Sequence, residues 1–287
     1  MKIKEIENVL SSFGVDYPRD EALLIVERLF GVSRGGVILD PERDYSSPEL
    51  DSLLEKRKKR VPLQYIFGKW DFMGKEFYVS SECLIPQPDT EILVEKALEI
   101  MGSFGKTGGD VDENAKYEVA DLCTGSGCIG LSLLMYGCPC SMTLMDISPS
   151  ALDMARKNAH LHGLRDKCRF ILGDIRCDLP VEKFDLIVSN PPYIPSKDIE
   201  LLPSEVKMEP RLALDGGSDG LDIIRFLIGD GLSYLKKNGV MLIEFGYDQG
   251  DIMDAILREK CDTGSIKSYE IVYDYGKNPR VAVIFAN

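Results

Sequence analysis

From Tyr117 onward the chain alternates short apolar runs with helical segments, and that alternation restricts the fold more than any other feature. The runs "YEVADL" (117–122), "SMTLMD" (141–146), "CRFIL" (168–172), "FDLIVS" (184–189), "VMLIEF" (240–245), "YEIVYD" (269–274) and "RVAVIFA" (280–286) are candidate strands. Most are near-continuously apolar, as strands covered on both faces are. Helical patterns lie between them. The clearest is 148–163, with Ser148 as cap, Pro149 at the first position and Gly163 at the stop. This order predicts a mostly parallel sheet with helices on both faces, a doubly wound, Rossmann-like α/β domain. Only "YGKN" (275–278) separates the last two strands, which predicts an antiparallel hairpin at the sheet edge.

Residues 1–60 have a different rhythm. "IKEIENVLSSFG" places Ile3, Ile6, Val9 and Leu10 on one helical face, and "DEALLIVERLFG" repeats the pattern with Gly31 as its stop. "SSPELDSLLEKRKKR" starts with a serine cap and a proline and ends in cations that suit a helix C-terminus. The basic run Lys56–Arg60 reads as a solvated helix end, with a nucleic-acid patch as the alternative. "GKEFYVSSECLIP" (74–86) alternates like a hairpin or linker strand. The helix "DTEILVEKALEIM" follows, and then a polar, Gly-rich loop over 102–116. The expected organisation is a helical domain at 1–72, a hairpin or linker at 73–88 and the α/β domain at 89–287.

The 287 residues hold 34 Lys/Arg against 47 Asp/Glu, a formal charge of −13, and residues 1–60 account for only −1 of it. A protein built mainly to grip nucleic acid would be basic. Eight cysteines form no CxxC pair, Cys138-Pro-Cys140 lacks a partner pair at zinc spacing, and several sit in apolar runs. No metal site is expected. "MKIKEIENVL" lacks the apolar core of a signal peptide, and no run approaches a membrane span. A reduced, cytoplasmic location without membrane association is the expectation.

"ADLCTGSGCIG" (120–130) follows the first strand of the α/β region and opens a helix. Gly125, Gly127 and Gly130 spell G-x-G-x-x-G, and Asp146 lies twenty-one residues beyond Gly125 at the end of the next strand. The glycines let backbone approach a ligand, the helix N-terminus offers free N–H groups, and the acid can accept from both hydroxyls of a ribose. The fingerprint leaves NAD and S-adenosylmethionine open. Asp121, four residues before Gly125, favours the second, because a carboxylate there repels a pyrophosphate and attracts an ammonium group. Asp174, in "LGDI" at the third strand end, is placed to accept from an adenine amino group or simply to form a turn.

"NPPY" (190–193) ends the fourth strand at the carboxyl edge, where ligands bind in such sheets. Proline fixes φ and holds the preceding residue extended, so the loop is rigid. The Asn190 side-chain oxygen and the Pro191 carbonyl then present two acceptors that match the two donors of a planar NH₂ group. The Tyr193 ring can stack on the flat group that carries it. An amide nitrogen's lone pair is delocalised, with resonance behind a rotational barrier of roughly 18–20 kcal/mol. Two accepted hydrogen bonds polarise that nitrogen, and alignment alone contributes on the order of 7–11 kcal/mol. No general base is obvious, which leaves water or the Asn190 carbonyl to take the surplus proton.

These motifs resemble the HemK/PrmC methyltransferases, which methylate the side-chain amide nitrogen (N5) of the glutamine in the Gly-Gly-Gln motif of peptide chain release factors. The resemblance extends over nearly the whole chain through "PLQYIFG" (62–68), "LIPQPDTEILVEKAL" (84–98), "DLCTGSGCIGLSLL", "MDISPSALDMARKNA", "FDLIVSNPPYIP" and "EPRLALDGGSDGLDIIR" (209–225). It implies a helical N-terminal domain that docks the release factor and a seven-stranded class I methyltransferase domain. It also implies that Cys123, Thr124, Gly125, Ser126 and Gly127 line the methionine end of S-adenosyl-L-methionine, that Asp146 holds the ribose, and that Asp174 and Ile175 sit at the adenine. By the same resemblance, Asn190 and Pro191 are expected to bind the glutamine amide, Pro192 and Tyr193 to shape its slot, and Asn190 also to touch the cofactor. Three departures stand out. Gln87 replaces the Arg of "IPRPDTE", "DYGKNPR" loosely matches the family's final motif, and Cys123 replaces the first glycine of "GTGSG", which a negative φ at 123 would permit.

The partner implied is a release factor, met by a monomer, without nucleic acid. An adenine-N6 methyltransferase shares NPPY, but its substrate favours a basic face. An NAD-dependent oxidoreductase needs an acid or base for hydride transfer. The only histidines, His160 and His162, follow Asp146 on a helix and read as surface residues.

Overall fold

The computed structural model describes residues 1–103 and 117–287. It separates into two compact units, Met1–Phe67 with Pro203–Met208, and Gly68–Leu202 with Glu209–Asn287.

The first unit is helical: α1 (Ile3–Ser12), α2 (Pro18–Phe30), α3 (Arg34–Leu39), α4 (Pro48–Lys58) and α5 (Leu63–Phe67). Its core is Ile6, Leu10, Ile25, Val26, Leu50 and Leu53, drawn from the amphipathic faces of α1, α2 and α4. Ser47 caps α4 by accepting from the Leu50 amide at 3.1 Å. The basic run that ends α4 is solvated at Lys56, Lys58 and Lys59 but not at its arginines. Arg57 is buried, clasping Glu21 of α2 with Nε and Nη2 at 2.9 and 2.8 Å and reaching Glu205 at 2.8 Å. Arg60 donates to the Gly14 carbonyl at 2.6 Å and also pairs with Glu205. Two of the five cations therefore hold the returning segment 203–208 within this unit.

The first unit's α-helices end at Phe67, five residues before the expected boundary at 72, and the second unit begins at Gly68. The reason is pairing: β1 (Lys69–Phe72) forms an antiparallel hairpin with β2 (Lys75–Tyr78). β2 is in turn tied by Asn158, which accepts from the Tyr78 amide at 2.7 Å and donates to its carbonyl at 3.0 Å. The strand expected over 74–86 thus stops at Tyr78. After α6 (Glu91–Ser103) come β3 (Tyr117–Leu122), α7 (Cys128–Met135), β4 (Cys140–Asp146), α8 (Pro149–Leu161), β5 (Cys168–Leu172) and β6 (Phe184–Ser189). Then follow α9 (Arg211–Leu214), α10 (Asp222–Ile228), β7 (Leu235–Glu244), α11 (Gly250–Asp262), β8 (Ser268–Tyr273) and β9 (Pro279–Phe285). Of the Gly-rich stretch 102–116, only the first two residues fall within the described residues, and they close α6.

The seven strands run in the order β5-β4-β3-β6-β7-β9-β8, with β3 to β7 parallel and β9 antiparallel to both neighbours. The closing hairpin is present, and β9 wedges between β7 and β8. Side chains alternate between two cores. Val119, Leu186, Val188, Leu242 and Val283 pack on one face with α6, α7 and α8, while Ala120, Ile187, Met241, Ile243 and Ala282 pack on the other with α10 and α11. Strand order reverses between β3 and β6, so the carboxyl ends of these strands open the crevice where such sheets bind ligands.

Candidate active site

That crevice is a cleft of about 310 Å³ within the second unit. One wall is the turn after β3. Gly125 and Gly127 take φ of +55° and +81°, and a Cβ at Gly125 would meet no atom within 4 Å, so its backbone faces open space. At Gly130 a Cβ would stand 2.6 Å from the Leu144 side chain, so this glycine lets α7 pack tightly on β4. Cys123, Thr124, Gly125 and Ser126 line the cleft; Gly127 sits beneath them as the N-cap of α7. Contrary to the expectation for its glycine replacement, Cys123 has a φ of +59°. It holds a left-handed conformation with a half-buried thiol whose pKa burial raises.

Asp121 also departs from expectation. It is fully buried under the turn and does not line the cleft; its Oδ2 accepts from the Thr124 hydroxyl at 2.6 Å and the Gly130 amide at 2.9 Å. Burial pushes its carboxyl up to about 7. Its work is to brace the turn from below, and it offers no surface to a ligand's ammonium group.

Asp146 forms the next part of the wall. Its Oδ2 accepts from the Gly125 amide and its Oδ1 from the Ser148 amide, each at 2.8 Å. Each oxygen keeps a second acceptor position, the capacity two ribose hydroxyls require. Ile147 and Ile175 add apolar surface beside it. Asp174 lines the cleft with its carboxylate clasped by Arg176 at 2.6 Å, which holds it below the usual carboxylate range. Arg176 was not foreseen, because nothing in its neighbourhood in sequence distinguishes it from a solvated cation.

The fourth strand end supplies Asn190 and Pro192 to the lining, whereas Pro191 is buried and Tyr193 is set behind the wall. The Asn190 Nδ2 donates to the Thr90 hydroxyl at 3.2 Å. The Tyr193 hydroxyl lies 3.4 Å from Glu244 Oε1, and burial raises the phenol's pKa. The loop is backed by 214–220: the Ile194 amide donates to the Leu214 carbonyl at 2.9 Å and the Gly216 amide to the Ile194 carbonyl at 2.9 Å. A Cβ at Gly216 would lie 2.6 Å from the Pro192 carbonyl oxygen, so only glycine permits this approach. Opposite, Cys83 to Gln87 and Thr90 complete the cleft, and Glu209 fixes that segment by accepting from the Ile85 amide at 2.9 Å. Burial pushes Glu209 up to about 7.

The histidines stand away from this site. His160 is exposed, but His162 is half-buried, with Nε2 3.0 Å from the Glu76 carbonyl and its ring tilted against Phe77. Among the described residues no cluster suits a metal ion, and no helix is long and apolar enough to cross a membrane.

The cleft's donors and acceptors fit a cofactor with a ribose and an adenine, since exposed turn backbone, a strand-end acid and apolar flanks lie in one groove. Residues 3–68 match the model of the PrmC N-terminal domain, and residues 109–203 match that of the methyltransferase small domain. A release factor glutamine methyltransferase of Moorella thermoacetica is 35% identical, over 94% of this chain and 92% of the relative. A ribosomal protein uL3 glutamine methyltransferase of Francisella tularensis is also 35% identical, over 86% of this chain and 77% of its own length. In three dimensions the hMettl16 catalytic domain, solved in complex with an RNA hairpin, superimposes with a TM-score of 0.57. That match covers 86% of this chain and 94% of the other at 14% identity, a likeness of fold alone.

Proposed function

The chain belongs to the release factor glutamine methyltransferase family, and from that premise we propose that it methylates the side-chain amide nitrogen (N5) of the glutamine in the Gly-Gly-Gln motif of peptide chain release factors. It is an S-adenosyl-L-methionine-dependent methyltransferase. The observation that carries the finer reading is the juxtaposition of Asp146 and Asn190 in one cleft, a ribose acceptor and an amide acceptor at the ends of β4 and β6.

In this reading Cys123 to Gly127 hold the methionine end of the cofactor, Asp146 the ribose, and Asp174 with Ile175 the adenine. When bound there, the cofactor supplies an electrophilic methyl group. The chain's own residues do the rest. Asn190 Oδ1 accepts from the glutamine NH₂ with the Pro191 carbonyl as the second acceptor, and the two aim its lone pair; Pro192 bounds the slot, and Tyr193 backs it from behind the wall. The rigid Asn-Pro-Pro sequence keeps both acceptors in place without further ordering. The surplus proton leaves to water after the nitrogen is alkylated.

The helical unit docks the release factor, the protein acts as a monomer, and the reaction belongs to the cytoplasm. Deleting residues 1–67 is expected to abolish methylation of intact release factor while the remaining unit still binds cofactor by calorimetry. Full activity of the truncated protein would remove docking from that unit.

The decisive experiment is transfer of labelled methyl to purified release factor, its Gly-Gly-Gln Gln→Ala variant, ribosomal protein uL3 and DNA. Label on the first alone is the expected result. Label on uL3 instead would move this chain to the activity named for the Francisella relative, and label on DNA alone would overturn amide methylation.

A further inference from the structure

The loop after β6 has a further tether that the motifs do not account for. Gln249 lies in the turn between β7 and α11 and is 7% exposed. Its Nε2 donates to the Tyr193 carbonyl at 2.9 Å, and its Oε1 accepts from the Gly246 amide at 2.8 Å. The Gln249 backbone amide donates in turn to the Gly246 carbonyl at 2.8 Å, so these two residues close a compact turn directly after β7. Space around the Tyr193 carbonyl is tight. Gly220, with φ of +80°, would carry a Cβ 2.2 Å from that oxygen and 2.8 Å from Gln249 Nε2.

We propose that Gln249 is a positioning residue for the reaction, holding the Asn190–Tyr193 loop where methyl transfer requires it. The proposal rests on the amide-methylation reading above and adds to it the residue that steadies the loop from behind. A backbone N–H only donates and a backbone carbonyl only accepts. A side chain joining the Gly246 amide to the Tyr193 carbonyl must therefore present an acceptor at one end and a donor at the other. A carboxamide does both, and the Gly246 amide fixes which way it faces. Pro191 and Pro192 have no N–H through which the loop could be tethered. The pinned groups are instead the Tyr193 carbonyl, on Gln249, and both backbone groups of Ile194, on Leu214 and Gly216.

Gln249→Glu keeps the shape and replaces the donor. An ionised carboxylate only accepts, so it meets the Tyr193 carbonyl with like polarity and displaces the loop, whereas the protonated acid donates and restores the bond. Burial raises the pKa of a carboxyl at such a site. At about pH 8, turnover of Gln249→Glu on release factor is expected to fall roughly 10- to 100-fold, the cost of a small misplacement. Relative to wild type at the same pH, it should recover as pH is lowered to about 6, because the acid form is the one that donates. Charged and titratable groups on the surrounding elements are Tyr193 on the loop, Asp248 in the same turn, Glu244 at the end of β7, Arg280 at the start of β9, and Asp219 and Asp222 beside Gly220. All are present in wild type too, so the ratio removes their own titrations.

Gln249→Met, similar in length but without donor or acceptor, should lose turnover to a similar degree at every pH. Cofactor affinity by calorimetry should stay within about twofold in both variants, because Gln249 does not line the cleft. A second readout needs no substrate. The Ile194 and Ser196 amides donate to the Leu214 and Gly217 carbonyls, and their hydrogen exchange reports how firmly the loop is held. Exchange should quicken roughly 2- to 10-fold in Gln249→Met, the worth of one hydrogen bond. In Gln249→Glu it should quicken at about pH 8 and less at about pH 6, each against wild type at the same pH.

Wild-type turnover in Gln249→Met, a Gln249→Glu ratio that is flat with pH, or unchanged exchange at Ile194 and Ser196 would each overturn the proposal. Should Gln249→Met fail to fold, the pH ratio of Gln249→Glu decides by itself. Should the wild-type protein methylate no glutamine, the functional reading fails, and exchange alone still decides whether Gln249 holds the loop.

Discussion

Asn190 and Cys123 show how differently two residues of one cleft are constrained. Among the described residues the Asn190 side chain makes one hydrogen bond, donated to Thr90, and in the proposed reaction its acceptor oxygen matters chiefly as the nitrogen is alkylated. Asn190→Ala should therefore cut turnover by about 10²–10³-fold, the range for removing one preorganised polar partner, while calorimetry shows cofactor binding intact. Unchanged turnover would exclude Asn190 from the chemistry. Cys123 pays for its position in backbone strain, since left-handed φ disfavours any residue with a Cβ by roughly 1–2 kcal/mol. Cys123→Gly relieves that strain but loses about 0.5–1 kcal/mol to chain entropy, so denaturant melts should place it level with or slightly above wild type. Cys123→Val, branched at Cβ, should lose at least about 1–2 kcal/mol. A melt in which valine matches glycine would show the turn relaxing around 123. From the sequence a glycine replacement was visible at 123, but the sign of φ there was not. That sign follows from where the turn must carry the chain between β3 and α7, a property of the assembled sheet.

At the scale of elements, the loop after β6 is placed by its neighbours as much as by its prolines. The segment 214–220 pairs with Ile194 and approaches the Pro192 carbonyl through Gly216. Gly216→Ala would force that loop outward, and turnover should drop by roughly 10²-fold with thermal stability falling only modestly. An enzyme that tolerates alanine there would show that the two prolines suffice to place Asn190. The strands from β3 to β6 were readable within a residue of their ends. Strands β3, β4 and β6 are largely buried with near-continuous apolar runs, and the half-exposed edge strand β5 is a short apolar run in step with them. The hairpin β1–β2 was harder. Its partner contacts, Asn158 to Tyr78 and His162 to Glu76, come from α8 and the residue that caps its end, eighty or more residues away, and no local pattern announces them.

For the whole molecule, buried carboxyls shape the pH response, Asp146 among them with its pKa raised by burial, while burial lowers the His162 pKa and works in the opposite sense. Asp121, Glu209 and Glu244 are each pushed to about 7, against about 4 in an unfolded chain. Between those values the folded protein binds more protons than the unfolded one, so stability falls as pH rises through that window and levels off once all are ionised. Glu205, lowered by Arg57 and Arg60, acts in the opposite sense: its contribution is present above the unfolded value and lost as pH falls below it. Thermal melts should show a higher Tm near pH 5.5 than near pH 7.5, with Glu209→Gln and Glu244→Gln each flattening the slope. A Tm that rises over that interval would contradict the burial of these groups. By itself the sequence determined the α/β alternation, the glycine turn with Asp146 and the Asn-Pro-Pro-Tyr loop at a strand end, because each depends on bonding and sterics within a few consecutive residues. Tertiary structure alone decided that Asp121 braces the turn from below, that Arg57 and Arg60 fold inward onto Glu205, and that Thr90 and Gln249 meet the Asn190 loop. Burial and hydrogen-bond partnership depend on residues far apart along the chain, and only packing brings those together.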